Sequence, residues 1–140
     1  METNEKLKKQ AFDLLKNYEV LYNIASITGS YVLDLMVCPD LDIYIPADKA
    51  QDIFGLAEII YQNGLTDELY IQKGAILGMP EGQHIQVRTN LPSKNAKWKI
   101  DVWILPAGVI SQKSAQIRSF TERLTVTDRE RILELKRRLL

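Results

Sequence analysis

Two short stretches of alternating side chains constrain this chain more than anything else in it. Leu41, Ile43 and Ile45 alternate with Asp40, Asp42 and Tyr44; far downstream, Ile100, Val102 and Ile104 alternate with Asp101 and Trp103. Successive side chains of a strand point to opposite faces, so each stretch reads as a strand with one apolar face and one acid-bearing face. Asp is depleted from strands, which makes a carboxylate inside an otherwise strong strand locally unfavourable. If the two strands lie side by side, Asp40, Asp42 and Asp101 gather into one cluster. Two carboxylates on one strand face can converge on a single divalent cation or bracket a pair of them. Mg²⁺ in particular prefers a few carboxylates together with water and substrate phosphates. Equally, three acids can simply solvate the open face of a sheet.

The segment before the first acidic strand supplies a turn. A short apolar run predicts a strand near residues 24–28, ending in Gly29-Ser30, with a short helix over 31–36. Gly29 lacks a Cβ, so the backbone N–H groups around it can approach a phosphate, and Ser30 adds a hydroxyl donor. The same pair also suits a plain strand-to-helix turn. Cys38 reads as a packing residue, since nothing adjacent supplies the base that a nucleophilic thiol needs. Pro39, which cannot donate a ladder hydrogen bond, suits a strand entrance.

The remaining segments read as a mixture of helices and strands. Residues 3–18 carry Leu7, Ala11, Leu14, Leu15 and Tyr18 on one helical face, with Thr3 as N-cap and Lys6, Lys8, Lys9 and Lys16 on a solvated face. A second helix starts at Asp48, which with Gln51 resembles a capping box; Ile53, Phe54, Ala57, Ile60 and Tyr61 form its expected buried stripe, and Gly64 fits its end. Residues 69–72 and 84–89 predict two further strands. The turn-rich stretch 73–82 between them is either a flap over a substrate or a plain hairpin connection. His84 is the only histidine, and we read it as structural. Arg88 shares a strand face with His84 and Gln86, where it either neutralises a triphosphate or faces water. Residues 91–97 form a polar loop, and Lys97 and Lys99 share the face of Asp101. Beyond Pro106, Ile110, Ser114, Ile117 and Phe120 are loosely helical in spacing. A final helix is expected from a Thr127–Glu130 capping box and the apolar residues Ile132, Leu133, Leu135, Leu139 and Leu140. Its basic end, Lys136 to Arg138, complements the helix dipole.

Gly29-Ser30, a spacer, Asp40-Leu41-Asp42 among apolar neighbours and a later strand carrying Asp101 together resemble the DNA-polymerase-beta-type nucleotidyltransferase superfamily. The resemblance spans about residues 24–104. It implies an α+β nucleotidyltransferase-like fold, a mixed or antiparallel sheet with helices packed on one face. It also implies that Asp40, Asp42 and Asp101 coordinate two Mg²⁺ ions, with Gly29 and Ser30 orienting the phosphates of a bound NTP. Asp101 would accept a proton from an acceptor hydroxyl, and the products would be a nucleoside monophosphate ester and pyrophosphate. In the family a second glycine and a basic residue often follow the Gly-Ser pair; here the corresponding residues are Tyr31-Val32-Leu33-Asp34. That departure keeps an alternative open, a catalytically inactive or antitoxin-like module that binds a partner protein.

Composition narrows the acceptor and the setting. The 140 residues suit one domain, with a core over about 20–106 and C-terminal helices over about 108–140. Lys plus Arg and Asp plus Glu are both 18, so no overall field draws in a long nucleic acid, and a small-molecule or protein acceptor is the first choice. No separate acceptor-binding domain fits in this length, so a second copy in a homodimer is one source for the rest of the pocket. A single cysteine excludes an internal disulfide and suits a reducing, cytoplasmic setting. No apolar run predicts a membrane span or a signal-peptide core.

Overall fold

A computed structural model describes residues 2–50, 52–91 and 96–140, with backbone alone at residues 91 and 96. Among these, helices α1 (Asn4–Asn17) and α2 (Glu19–Ile24) lead into strand β1 (Ser26–Thr28), helix α3 (Ser30–Leu33) and strand β2 (Asp40–Pro46). Helix α4 (Ile53–Gln62), strands β3 (Thr66–Lys73), β4 (Gln83–Leu91) and β5 (Ala96–Leu105), and helices α5 (Ala107–Arg123) and α6 (Val126–Arg138) complete the order. The fold is α+β, as expected. Its single sheet runs β1-β2-β5-β4-β3, with β2 and β5 parallel and the other pairs antiparallel.

The alternation in β2 and β5 explains this layering. Leu41, Ile43, Ile45, Ile85, Val87, Ile100 and Val102 are wholly buried, packed against Leu7, Ala11, Leu14 and Leu15 of α1, Leu21 of α2, and Ile53, Leu56, Ala57 and Ile60 of α4. A parallel pair needs a long crossover, and the α4–β3–β4 excursion provides it. The opposite face is mostly polar and open. Only at one end does the start of α5 close it, where Ile110 packs on Tyr44 and Leu105. The helical layer therefore lies on one face, and α5 extends it around the end.

Several local expectations are corrected. The segment before β1 is helical through Ile24, so the strand is shorter than 24–28. The second helix begins at Ile53, capped by the Asp52 carboxylate accepting from the Phe54 N–H at 3.1 Å; Asp48 sits in a separate 3-10 turn (Ala47–Lys49), and Gln51 lies outside the described residues. Starting there, the buried positions fall at Ile53, Leu56, Ala57 and Ile60, which turns Phe54 and Tyr61 out to solvent. In α6 the capping box is formed by Thr125 and Asp128 rather than Thr127 and Glu130. Lys8 is not merely solvated: its ammonium pairs with Asp34 at 2.6 Å and lies over the Tyr31 ring. The centre of the expected 91–97 loop, residues 92–95, lies outside the described residues.

Candidate active site

Strand register decides which side chains meet on the open face. On β2 and β5, Asp42 stands opposite Asp101 and Asp40 opposite Lys99. On β4, Gln86 is opposite Asp101 and Arg88 opposite Lys99; on β3, Tyr70 is opposite Gln86 and Glu68 opposite Arg88. The polar face is thus a grid. One row reads Asp40, Lys99, Arg88, Glu68, and the next reads Asp42, Asp101, Gln86, Tyr70. An open groove of about 580 Å³ runs along it, lined among others by Asp40, Lys99, Arg88, Lys97, Gln86 and Tyr70. Asp40 lines one end of this groove, and Asp42 and Asp101 stand opposite each other in the neighbouring row of the same face.

The Gly29-Ser30 turn reaches the same place. β1 pairs antiparallel with β2, with Thr28 opposite Asp42, so the residue after Thr28 folds over that carboxylate. Gly29 has φ +67°, and a Cβ there would lie 2.7 Å from Asp42 Oδ2. Both the backbone conformation and the close approach require glycine. The Ser30 hydroxyl accepts a hydrogen bond from Lys136 Nζ of α6 at 3.0 Å.

Electrostatics separates the acids. Burial, then the charges of Asp101 and Asp40, push the Asp42 carboxyl up to about 6. Burial also works against Asp101 as a carboxylate, but a hydrogen bond from His84 and the Lys99 charge outweigh it and hold Asp101 below the ordinary value. Lys99 Nζ lies 3.4 Å from Asp101 Oδ2 and 3.7 Å from Asp40 Oδ2. Burial disfavours its charge, yet Asp101 and Asp40 keep its pKa above that of an ordinary lysine. One ammonium thus stands against three carboxylates, and Asp42 bears the imbalance. The Cys38 thiol donates to Asp40 Oδ2 at 3.4 Å and is raised by burial and by that carboxylate, which suits packing rather than nucleophilic attack.

His84 is the site residue that sequence reasoning misses. It is buried, its Nε2 lies 2.9 Å from Asp101 Oδ1, its Nδ1 lies 3.1 Å from Gln72 Oε1, and its ring packs on Trp103 with centroids 4.4 Å apart. Nε2 is the donor to the ionised Asp101 carboxylate, which aims that group. The hairpin register is the signal that finds it: with residue 91 opposite 96, counting back puts His84 opposite Trp103 and diagonal to Asp101.

For a divalent cation, the chemistry of the donors fits: carboxylates on adjacent strands, left with excess negative charge, beside a glycine turn. As they stand, however, no three His, Cys, Asp or Glu side chains among the described residues are gathered closely enough to hold an ion. His84 and Lys99 engage both oxygens of Asp101, and Cys38 and Lys99 engage Asp40. Lys99 would have to give way. Among the described residues no helix is long and apolar enough to cross a membrane. No family model matches this chain, and neither the curated proteins nor the solved structures contain a match to it.

Proposed function

We propose that the chain is a metal-dependent nucleotidyltransferase of the DNA-polymerase-beta type, moving a nucleoside monophosphate from an NTP to a hydroxyl of a small molecule or protein, in the cytoplasm. The observation that carries this reading is the apposition of Asp42 and Asp101 on parallel neighbouring strands, with Gly29 folded onto Asp42. Asp40, Asp42 and Asp101 would hold two Mg²⁺ ions. Such ions neutralise the transferring phosphates and lower the pKa of the acceptor hydroxyl. Gly29 and Ser30 would orient the polyphosphate at the acid end of the groove. Asp101 would accept the acceptor's proton, and His84, donating to its Oδ1, aims the carboxylate. Arg88 and Lys97 line the rest of the groove, where a second anionic or hydroxylated group can lie.

Lys99, seated between Asp40 and Asp101, favours a second reading: a fold that binds a partner and has replaced its metal by an internal ammonium. Calorimetric titration of Mg²⁺ with each nucleoside triphosphate into wild type and Asp42→Ala separates the two. Metal-dependent triphosphate binding that disappears in the variant is the expected result. No triphosphate binding by wild type in Mg²⁺ would overturn the transferase and leave the partner-binding module.

A further inference from the structure

Helix α6 is attached to the molecule in an unusual way. None of its residues is buried, and Leu135, Leu139 and Leu140 at its end are exposed. Ile132 and Leu133 are half-buried, and two cations add hydrogen bonds to the rest of the molecule. Arg129 donates to the carbonyls of Leu33, Leu124 and Thr121 at 2.9–3.1 Å, joining α3, α5 and α6. Further along the helix, Lys136 donates to the Ser30 hydroxyl and the Leu35 carbonyl, on either side of α3.

The two cations differ in what they leave unmet. Arg129 directs its guanidinium at carbonyls at the C-terminal ends of α3 and α5, one way such oxygens are satisfied. Lys136 touches a neutral hydroxyl and a neutral carbonyl, and among the described residues no carboxylate lies within ion-pair distance of it. A half-buried ammonium with only neutral partners is poised for an anion. Its location decides which anion. It stands on the hydroxyl that follows Gly29, and Gly29 touches Asp42. No basic residue follows Ser30 directly; Tyr31 does.

We propose that Lys136 is a ligand of the nucleotide's polyphosphate chain, delivered by α6 to the Gly29-Ser30 turn, so that nucleotide binding and the docking of α6 are one event. The proposal rests on the nucleotidyltransferase reading and adds to it a residue outside the acid strands. Phosphate oxygens would take up the ammonium hydrogen not already given to Ser30 and Leu35, and α6 would be held more tightly when the nucleotide is present.

The test uses the full chain with Mg²⁺ and the triphosphate and monophosphate of each nucleoside, in wild type, K136Q and K136R. Removing a charge-assisted hydrogen bond to the polyphosphate should weaken triphosphate binding by roughly tenfold or more in K136Q, with monophosphate binding little changed and recovery in K136R. Hydrogen exchange should show the α6 amides of wild type protected by Mg²⁺-triphosphate and those of K136Q not protected. A merely structural Lys136 would weaken monophosphate and triphosphate alike. That result, or unchanged triphosphate binding in K136Q, overturns the assignment while the transferase reading stands. Absence of triphosphate binding in wild type overturns both.

Discussion

The β2–β5 pair and the α6 helix bring residues to the same turn by opposite means. In β2 and β5 the inward side chains Leu41, Ile43, Ile45, Trp98, Ile100, Val102 and Ile104 are buried, so a shift by one residue would expose the whole set, and the acids are carried to their places by packing. α6 has no fully buried residue; its half-buried Ile132 and Leu133 are joined by hydrogen bonds from Arg129 and Lys136 to Leu33 and Ser30 of α3, far away in sequence. Full burial fixes the first region strongly, whereas the second is held by partial burial and a few polar contacts that each contribute modestly. A strand pair of the first kind suits ligands that must not move. A helix of the second kind suits a contact that forms and releases.

The sharpest way to break this comparison is to remove one apolar side chain from each region. Ile43→Ala should destabilise the protein by about 2–5 kcal/mol, since truncating the wholly buried side chain leaves a cavity between sheet and helices. Leu135→Ala, on the exposed face of α6, should stay within about 0.5 kcal/mol. Urea unfolding followed by circular dichroism measures both. Equal costs would mean that α6 is packed as firmly as the sheet.

A second experiment acts on the acids themselves. The Asp42 pKa is about 6 in the folded protein, against 3.8 for an ordinary aspartate. A raised folded pKa means that the folded state holds the proton more tightly. The associated stability is present below about pH 4 and is lost as pH rises through 6. At pH 7, without metal, the ionised carboxylate is a cost, and Asp42→Asn should raise stability by about 1–3 kcal/mol, discounted for partial exposure to solvent. The gain should vanish at pH 4 and shrink when Mg²⁺ is added to wild type. Denaturant midpoints at the two pH values decide it; a loss of stability at pH 7 would show that Asp42 is already compensated.

What can be read from the sequence follows the same division. Period-two alternation carries Asp40, Asp42 and Asp101 to one face, because burial of Ile43 and Ile100 leaves no other arrangement. Gly29 is legible as a point of close approach, and the surface approached is Asp42. His84 is not legible alone, since its role depends on the pairing of β4 with β5 rather than on its own neighbours. Lys136 reads as a helix-dipole residue, because nothing near it in sequence points to Ser30. In α4 the expected stripe holds at Ile53, Ala57 and Ile60, but the Asp52 cap sets the phase so that Leu56 turns inward while Phe54 and Tyr61 turn out.

The smallest expected effect tests that lesson at the start of α6. Thr125 and Thr127 both precede an acidic residue by three positions, and spacing alone cannot choose between Thr125–Asp128 and Thr127–Glu130. Tertiary contact makes the choice. Arg129 faces the Leu33 carbonyl and also binds the carbonyls of Thr121 and Leu124, and with the cap at Thr125 its own N–H closes the first turn on the Thr125 carbonyl. In that frame Thr125 Oγ1 accepts from the Asp128 N–H, and the Asp128 carboxylate accepts from the Thr125 N–H, each at 3.0 Å. Thr125→Ala should therefore cost α6 about 1 kcal/mol, and Thr127→Ala within about 0.5 kcal/mol. With no fully buried residue in α6, a global melting point is a poor reporter of its cap, and amide exchange within α6 is the measurement that reads it. Faster exchange in the Thr125 variant alone would mean that the cations of this helix choose its boundary as well as its place. The reverse order would start α6 two residues later and remove the bond from the Arg129 N–H to the Thr125 carbonyl that now closes its first turn.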